Sequence, residues 1–407
     1  MRLFPLEPIR WPPPSLREIA RSISAEGVSA ALIALILSAT GTFAILLTIG
    51  REAGLPADLI GSFAAVVYGF GGVTTIVVSL LYRQPLTVLW TITGATLLPA
   101  ALTHMSFPEA MGACMVAGLG MMALGLSGSM QQVTRLIPLP IALAMLLGVF
   151  LPFGTGMVKS VVDLPEVAGP TVLVYLIFAA VPRIARRCPP VFAALVAGLI
   201  AVAVFDPVAV GDLPTLHIVD PILVVPEFRL QAILSLAPAM LLTSVAIHNA
   251  QSIAILKSRG FEPPVNGLVT ALGAHSLVTA LFGGVPAAIA TVHTALFSAA
   301  GEMDRRYANA VVFGVFAIVL GLCAPMVAKL ALVLPNGFTV TLAGLALLGV
   351  LEESLTQAFS GPHRFPALVT LLVSASGIAP FGLAAPFWAL VAGVSLVWLI
   401  DRPKKEA

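Results

Sequence analysis

The sequence predicts an all-α polytopic membrane protein with fourteen transmembrane segments, arranged as two inverted repeats of seven. Three observations carry that expectation. Of 407 residues, 59% are hydrophobic and 10% charged, with a mean hydropathy of +1.04, which excludes a soluble globule and a disordered chain. Apolar runs recur along the chain at about the 20 residues that a helix needs to cross a bilayer. Two of those runs are interrupted, and they hold matching places in the two halves, a pattern that points to a binding site built from broken helices.

Residues 1–27 read as a cytosolic arm. Trp11-Pro12-Pro13-Pro14 is stiff and extended, and Ser15 and Glu18 have the spacing of a capping box. Leu16, Ile19, Ala20 and Ile23 then share one helical face and Arg17 and Arg21 another, which predicts a short interfacial helix. The first apolar run, from Val28, is too long for a signal-peptide core, so no cleavable signal is expected.

Segments are predicted at residues 28–49, 57–81, 86–102, 108–129, 137–158, 167–183 and 190–206, and again at 229–256, 264–282, 286–300, 307–328, 338–355, 365–379 and 382–400. The third begins with Gln84-Pro85 and the tenth with Gly283-Gly284 and Pro286; both are rich in Thr and β-branched residues before turning into small helix formers. Each predicts a short extended stretch leading into a half-helix. Such a stretch leaves backbone N–H groups at mid-membrane that lipid cannot satisfy, so a polar partner is needed there.

Charge placement supports the count. With fourteen crossings, Arg51, Lys159, Arg229 and Lys329 lie on one side and the other 17 of the 21 basic residues on the side of both termini. The positive-inside rule makes that side the cytoplasm. An odd number of segments per half inverts the second repeat, with its site between the halves.

No Asp or Glu falls in the middle of a predicted segment; Glu26, Glu302, Glu352 and Glu353 come nearest. That disfavours cation transport and metal-dependent chemistry. Cys114, Cys188 and Cys323 are far apart and read as small hydrophobes, not as a disulfide framework or zinc site. No cofactor is expected, and a net charge of +2 gives no reason to expect nucleic acid.

Three histidines lie in apolar segments, where ionisable groups are costly and mark functional candidates. His275 stands on an otherwise apolar helix and is read as packing. His293, at the start of the tenth half-helix, is read as functional. His248, beside Asn249 and Gln251, is open to either reading. In the third segment, Thr91 and Thr93 suit helix capping, and Gly94 suits close backbone approach. Trp90 is a stacking platform or a packing residue. Thr40 and Thr42, flanking Gly41, either close the site or bond their own helix. Two opposed half-helix N-termini would hold an anion without buried Arg or Lys. The expected backbone donors run through Thr91, Ile92, Thr93 and Gly94 and through Ala290, Thr291, Val292, His293 and Thr294, with Trp90, His248, Asn249 and Gln251 lining the pocket.

These residues resemble the benzoate–proton symporter family, within the group that shares the uracil-permease-like fold. The resemblance spans residues 28–400 and rests on Tyr82-Arg83-Gln84-Pro85 with Trp90 and Gly94, Arg135-Leu136-Ile137-Pro138, Asn249-Ala250, Phe282-Gly283-Gly284, residues 341–349 and Ser374-Ala375-Ser376-Gly377. The sequence departs from the family pattern at Thr91-Ile92-Thr93-Gly94, at Ile247-His248-Asn249, and at Ala287, Ala288 and His293, all near the expected site.

The resemblance implies a core domain of segments 1–4 (28–136) and 8–11 (229–328), and a gate domain of segments 5–7 (137–206) and 12–14 (329–400). Residues 207–228 are the extracytoplasmic connection and 401–407 a cytosolic tail. The implied activity is proton-coupled uptake of benzoate or a similar small aromatic carboxylate across the bacterial inner membrane, by alternating access, and not catalysis. The partners are that carboxylate, protons and the bilayer; a homodimer is compatible with this reading. Proton coupling is assigned first to His293 and second to His248. The alternatives are a nucleobase or inorganic-anion transporter of the same fold, or an uncoupled anion channel.

Overall fold

The computed structural model describes residues 6–129, 138–181, 188–205 and 221–400. Arg2, Arg135-Leu136-Ile137, Arg183, Arg186, Arg187, most of the 207–228 connection and the 401–407 tail lie outside the described residues. Helices occupy the apolar runs in the predicted order. Among the described residues, seven are long and apolar enough to cross a bilayer, and six shorter apolar helices accompany them.

The arm folds as expected over Leu16–Ser22, with Ser15 and Glu18 forming the capping box. It is strapped across one end of the bundle. The Glu7 carboxylate accepts from the N–H groups of Asn266 and Gly267 at 3.0 and 2.8 Å, at the start of segment 9. The Arg10 N–H donates to Leu81 O at the end of segment 2, and Ser22 Oγ meets Tyr307 Oη at the start of segment 11. The opposite end is marked by the ion pairs Lys329–Asp58 and Arg229–Glu109. The helices therefore alternate in direction between these ends.

Segments 3 and 10 are interrupted as predicted. Segment 2 runs over Ala57–Tyr82 and stops where Arg83 adopts φ +49° ahead of Gln84-Pro85. The chain then forms strand β1, Val88–Trp90, and a short helix, Ile92–Ala95. In the second repeat, strand β2, Ala287–Ile289, leads into helix Thr291–Phe297. The strands pair antiparallel, Val88 with Ile289 and Trp90 with Ala287. Thr91 N–H to Pro286 O and Ala290 N–H to Thr87 O, both 2.9 Å, extend the ladder.

A two-stranded sheet has two open edges, and lipid offers them nothing. Three hydroxyls and one side-chain amide close them instead. Thr75 Oγ1 accepts from Val88 N–H at 2.8 Å and donates to Val88 O at 2.9 Å, and Ser79 Oγ does the same for Leu86, a turn further along segment 2. On the β2 side, Ser276 Oγ of segment 9 accepts from Ala287 N–H at 2.9 Å, and Asn249 Oδ1 accepts from Ile289 N–H at 3.1 Å. Segments 2 and 9 are equivalent in the two repeats, so the same device is used twice.

The helices sort by packing into two groups. Segment 2 lies along segment 11 and segment 4 along segments 8 and 9, with segment 1 on segment 11. Close approach is built from small residues; a Cβ on Gly72 would stand 2.8 Å from Ile318 Cγ1 and against the Gly314 carbonyl. In the other group, segment 5 packs on segments 12 and 13, segment 6 on 7 and 12, and segment 13 on 14. The sequence did not foretell one feature common to segments 1 and 8. Each contains a π-helical stretch, Ser38–Thr42 and Thr243–Asn249.

Candidate functional site

The strand pair and the two π-helical stretches surround a cavity of about 250 Å³. π turns widen a helix locally and recur at functional sites. Nine of the residues expected at the site line this cavity: Trp90, Ile92, Thr93, His248, Gln251, Ala290, Thr291, Val292 and His293. The other five stand behind it. Thr40 Oγ1 donates to Ile36 O of its own helix, whereas Thr42, bonded to Tyr68 Oη at 2.7 Å, does reach the cavity. Thr91 caps the first half-helix by accepting from Gly94 N–H at 3.0 Å, and Gly94 is wedged against Met240 and Thr243. Asn249 holds the edge of β2, and Thr294 is fully buried.

The two half-helices differ at their starts. Thr91 supplies a side-chain cap to one, but Ala290 stands at the cap position of the other and has no side chain able to do so. The first turn, Thr291, Val292 and His293, all cavity-lining residues, therefore starts without a side-chain cap. Sequence reasoning treated the two termini as equal donors; the caps make the second the richer one.

Each histidine in the cavity is held by a hydroxyl from the other repeat. His293 Nε2 lies 2.9 Å from Ser38 Oγ, in the π stretch of segment 1. His248 Nε2, in the π stretch of segment 8, lies 3.1 Å from Thr93 Oγ1 of the first half-helix. His293 is further fixed against Phe313, ring centroids 4.7 Å apart. His275 lies elsewhere: its Nδ1 is 2.7 Å from Thr74 Oγ1 and its ring meets the edge of Phe70. That is the packing role read from the sequence.

The facing wall comes from the second helix group and is apolar except where Glu353 and Ser354 reach it. Leu143, Leu146 and Phe150 of segment 5, Val191 of segment 7, and Ala346, Leu347 and Val350 of segment 12 supply it. Trp90, braced edge-on by Phe63 at 6.0 Å, closes the other side. Sequence reading missed Ser38, Phe150 and Glu353. Glu353 lines the cavity, and its Oε1 accepts from Gln251 Nε2 at 3.4 Å and Gln357 Nε2 at 2.8 Å. The helix here runs on to Phe359, past the end predicted at 355, so this carboxylate stands nearly two turns inside the segment and not at its last residues. Among the described residues no cluster of three or more His, Cys, Asp or Glu side chains could hold a metal ion.

A cavity between paired broken helices, with hydrogen-bonded histidines on one side and an apolar wall on the other, is a solute-binding arrangement. The benzoate membrane transport protein family matches residues 21–399. The chain belongs to that family. Members of this benzoate membrane transport family are membrane transporters and not an enzyme family. The Escherichia coli (strain K12) inner membrane protein YdcO is 32% identical over 402 residues, covering 97% of this chain and 96% of that protein. The benzoate membrane transport protein of Acinetobacter baylyi is 27% identical over 399 residues, covering 96% and 98%. The fold is that of the transmembrane domain of a cyanobacterial bicarbonate transporter, BicA, at a TM-score of 0.58 and 18% identity, covering 93% of this chain and 98% of that one. The protein is thus a multi-pass transporter of the benzoate membrane transport family with an inverted-repeat fold.

Proposed function

We propose that the protein imports benzoate or a similar small aromatic carboxylate together with a proton, by alternating access across the bacterial inner membrane with both termini in the cytoplasm. The observation that carries this reading is the cavity's two-sided character. An uncapped half-helix start beside His293 and Thr291 suits a carboxylate, and the wall of Leu143, Leu146, Phe150 and Leu347 suits a ring. At about 250 Å³ the cavity is near the low end of small-molecule sites, roughly 300–1,000 Å³, which suits one ring.

In this reading segments 1–4 and 8–11 form the core that carries the substrate, and segments 5–7 and 12–14 form the gate. The site comprises the nine lining residues, with Thr40, Thr91, Gly94, Asn249 and Thr294 supporting them. The proton rides on His293 first and His248 second. A bound carboxylate favours the imidazolium, and by linkage the imidazolium favours the carboxylate. A neutral imidazole in the empty carrier returns without stranding a charge.

Uptake into proteoliposomes tests this. Benzoate and close aromatic carboxylates should accumulate against their gradient when the outside is acidic, and nucleobases or bicarbonate should not compete. Flux that only dissipates a gradient would point to a channel, and preferential nucleobase or bicarbonate uptake to a different cargo.

A further inference from the structure

The two helix groups meet across the cavity, and their polar links differ between the two ends. At the end away from the arm, Arg51 Nη1 donates to Thr339 Oγ1 at 2.9 Å and to Asn336 Oδ1 at 3.4 Å, and Nη2 donates to Leu334 O at 3.2 Å. About a turn lower, Thr48 Oγ1 shares its one proton between Ala44 O of its own helix at 3.0 Å and Thr339 O at 3.3 Å. At the same end, Ser235 Oγ of segment 8 accepts from Ala384 N–H at 2.8 Å, at the start of segment 14. At the arm end, the link from Gln251 to Glu353 is 3.4 Å long and solvent-exposed.

The cavity lining is equally one-sided. Segment 5 contributes from Leu143 to Phe150, near its start, and segment 12 from Ala346 to Ser354, towards its end. Both stretches lie towards the arm end. Val292, in the cavity lining, is 58% exposed, while Thr339, bonded to Arg51, is 3% exposed.

We infer that this conformer is open towards the cytoplasm, and that Arg51, with Thr48, is the latch that holds the extracytoplasmic side shut. Its guanidinium reaches three acceptors at the start of segment 12 from two nitrogens held in one plane, a spread that the single nitrogen of an ammonium lacks. Opening the outer side requires segment 1 to part from segment 12, so these bonds must break once per transport cycle. The sidedness rests on the membrane orientation proposed above; the latch does not.

The test uses the full-length chain with Cys114, Cys188 and Cys323 replaced and Val292→Cys as reporter, labelled with a charged, membrane-impermeant maleimide. Inside-out vesicles should label readily, and right-side-out vesicles at least about tenfold more slowly. Arg51→Ala should raise outside labelling about tenfold or more, equivalent to about 1.4 kcal/mol, and Arg51→Lys should raise it less. Fast outside labelling that Arg51→Ala shifts to the inside would invert the orientation and keep the latch. Labelling insensitive to Arg51→Ala would overturn the latch. Thr48→Cys with Thr339→Cys guards against a merely misfolded variant. Once the disulfide is verified by mass, uptake should fall at least about tenfold and return with reductant. Undiminished uptake by the cross-linked protein would also overturn the latch.

Discussion

His293 Nε2 and Ser38 Oγ lie 2.9 Å apart, although they are 255 positions apart in the chain. The bond ties the second half-helix to the π turn of segment 1. His248 and Thr93 repeat it with the roles of the halves exchanged. Each imidazole is therefore tied by a hydrogen bond to a helix of the opposite repeat.

His293→Gln should keep substrate binding at acidic pH but abolish uphill uptake driven by a pH gradient. Gln retains hydrogen bonding to Ser38 and cannot titrate. Ser38→Ala should keep uphill uptake and weaken apparent affinity by about fivefold, the equivalent of one ordinary hydrogen bond of about 1 kcal/mol. Binding and gradient-driven uptake in proteoliposomes separate the two. Uphill uptake surviving in both His293→Gln and His248→Gln would send the proton by another route.

His275→Gln should leave uptake unchanged. Its contacts are Thr74 and Phe70, outside the cavity. The expected cost is about 1 kcal/mol of stability, seen as a small drop in the melting temperature of the detergent-solubilised protein.

Thr75→Val removes both partners that one hydroxyl gives Val88. The side chain keeps its shape, so the effect isolates the strand edge. A buried N–H left unpaired costs about 1–3 kcal/mol. Thermal stability should fall by several degrees, and Thr75→Ser should restore most of it.

Gly72→Val should be more damaging than Gly69→Val. The first meets Ile318 and the Gly314 backbone of segment 11, whereas a Cβ on Gly69 has open space within 4 Å. Overpacking of this kind costs about 1–3 kcal/mol, and yield and melting temperature in detergent should rank the two variants.

The breakers at Gln84-Pro85 and Gly283-Gly284 made the interrupted segments legible, because backbone conformation follows local sequence. The positions of His248, Trp90 and His293 followed from that framework. The partners did not. Ser38 and Thr93 each pair across the repeats, and no local pattern announces a contact between segments so far apart. The π stretches were hidden for a related reason: Ser38–Thr42 and Thr243–Asn249 are rich in weak helix formers such as Ser, Thr and Gly, but that composition does not distinguish a π turn from any other local irregularity. Glu353 was read as an end-of-segment charge because it falls next to the end of the predicted run at 355; the helix continues to Phe359, and the residue lines the cavity.

The β1–β2 ladder also constrains the order of assembly. Val88 leaves the ribosome long before its partner Ile289. Thr75 and Ser79 can satisfy one edge of β1 as soon as segment 2 is in place. The other edge has no partner until the second half has been inserted. During that interval the nascent first half carries an unpaired strand at membrane depth, in a medium that cannot hydrate it. Biogenesis must therefore keep this half beside the insertion machinery or in a watered crevice. The same feature makes the first half, released alone, a template for whichever strand reaches it first.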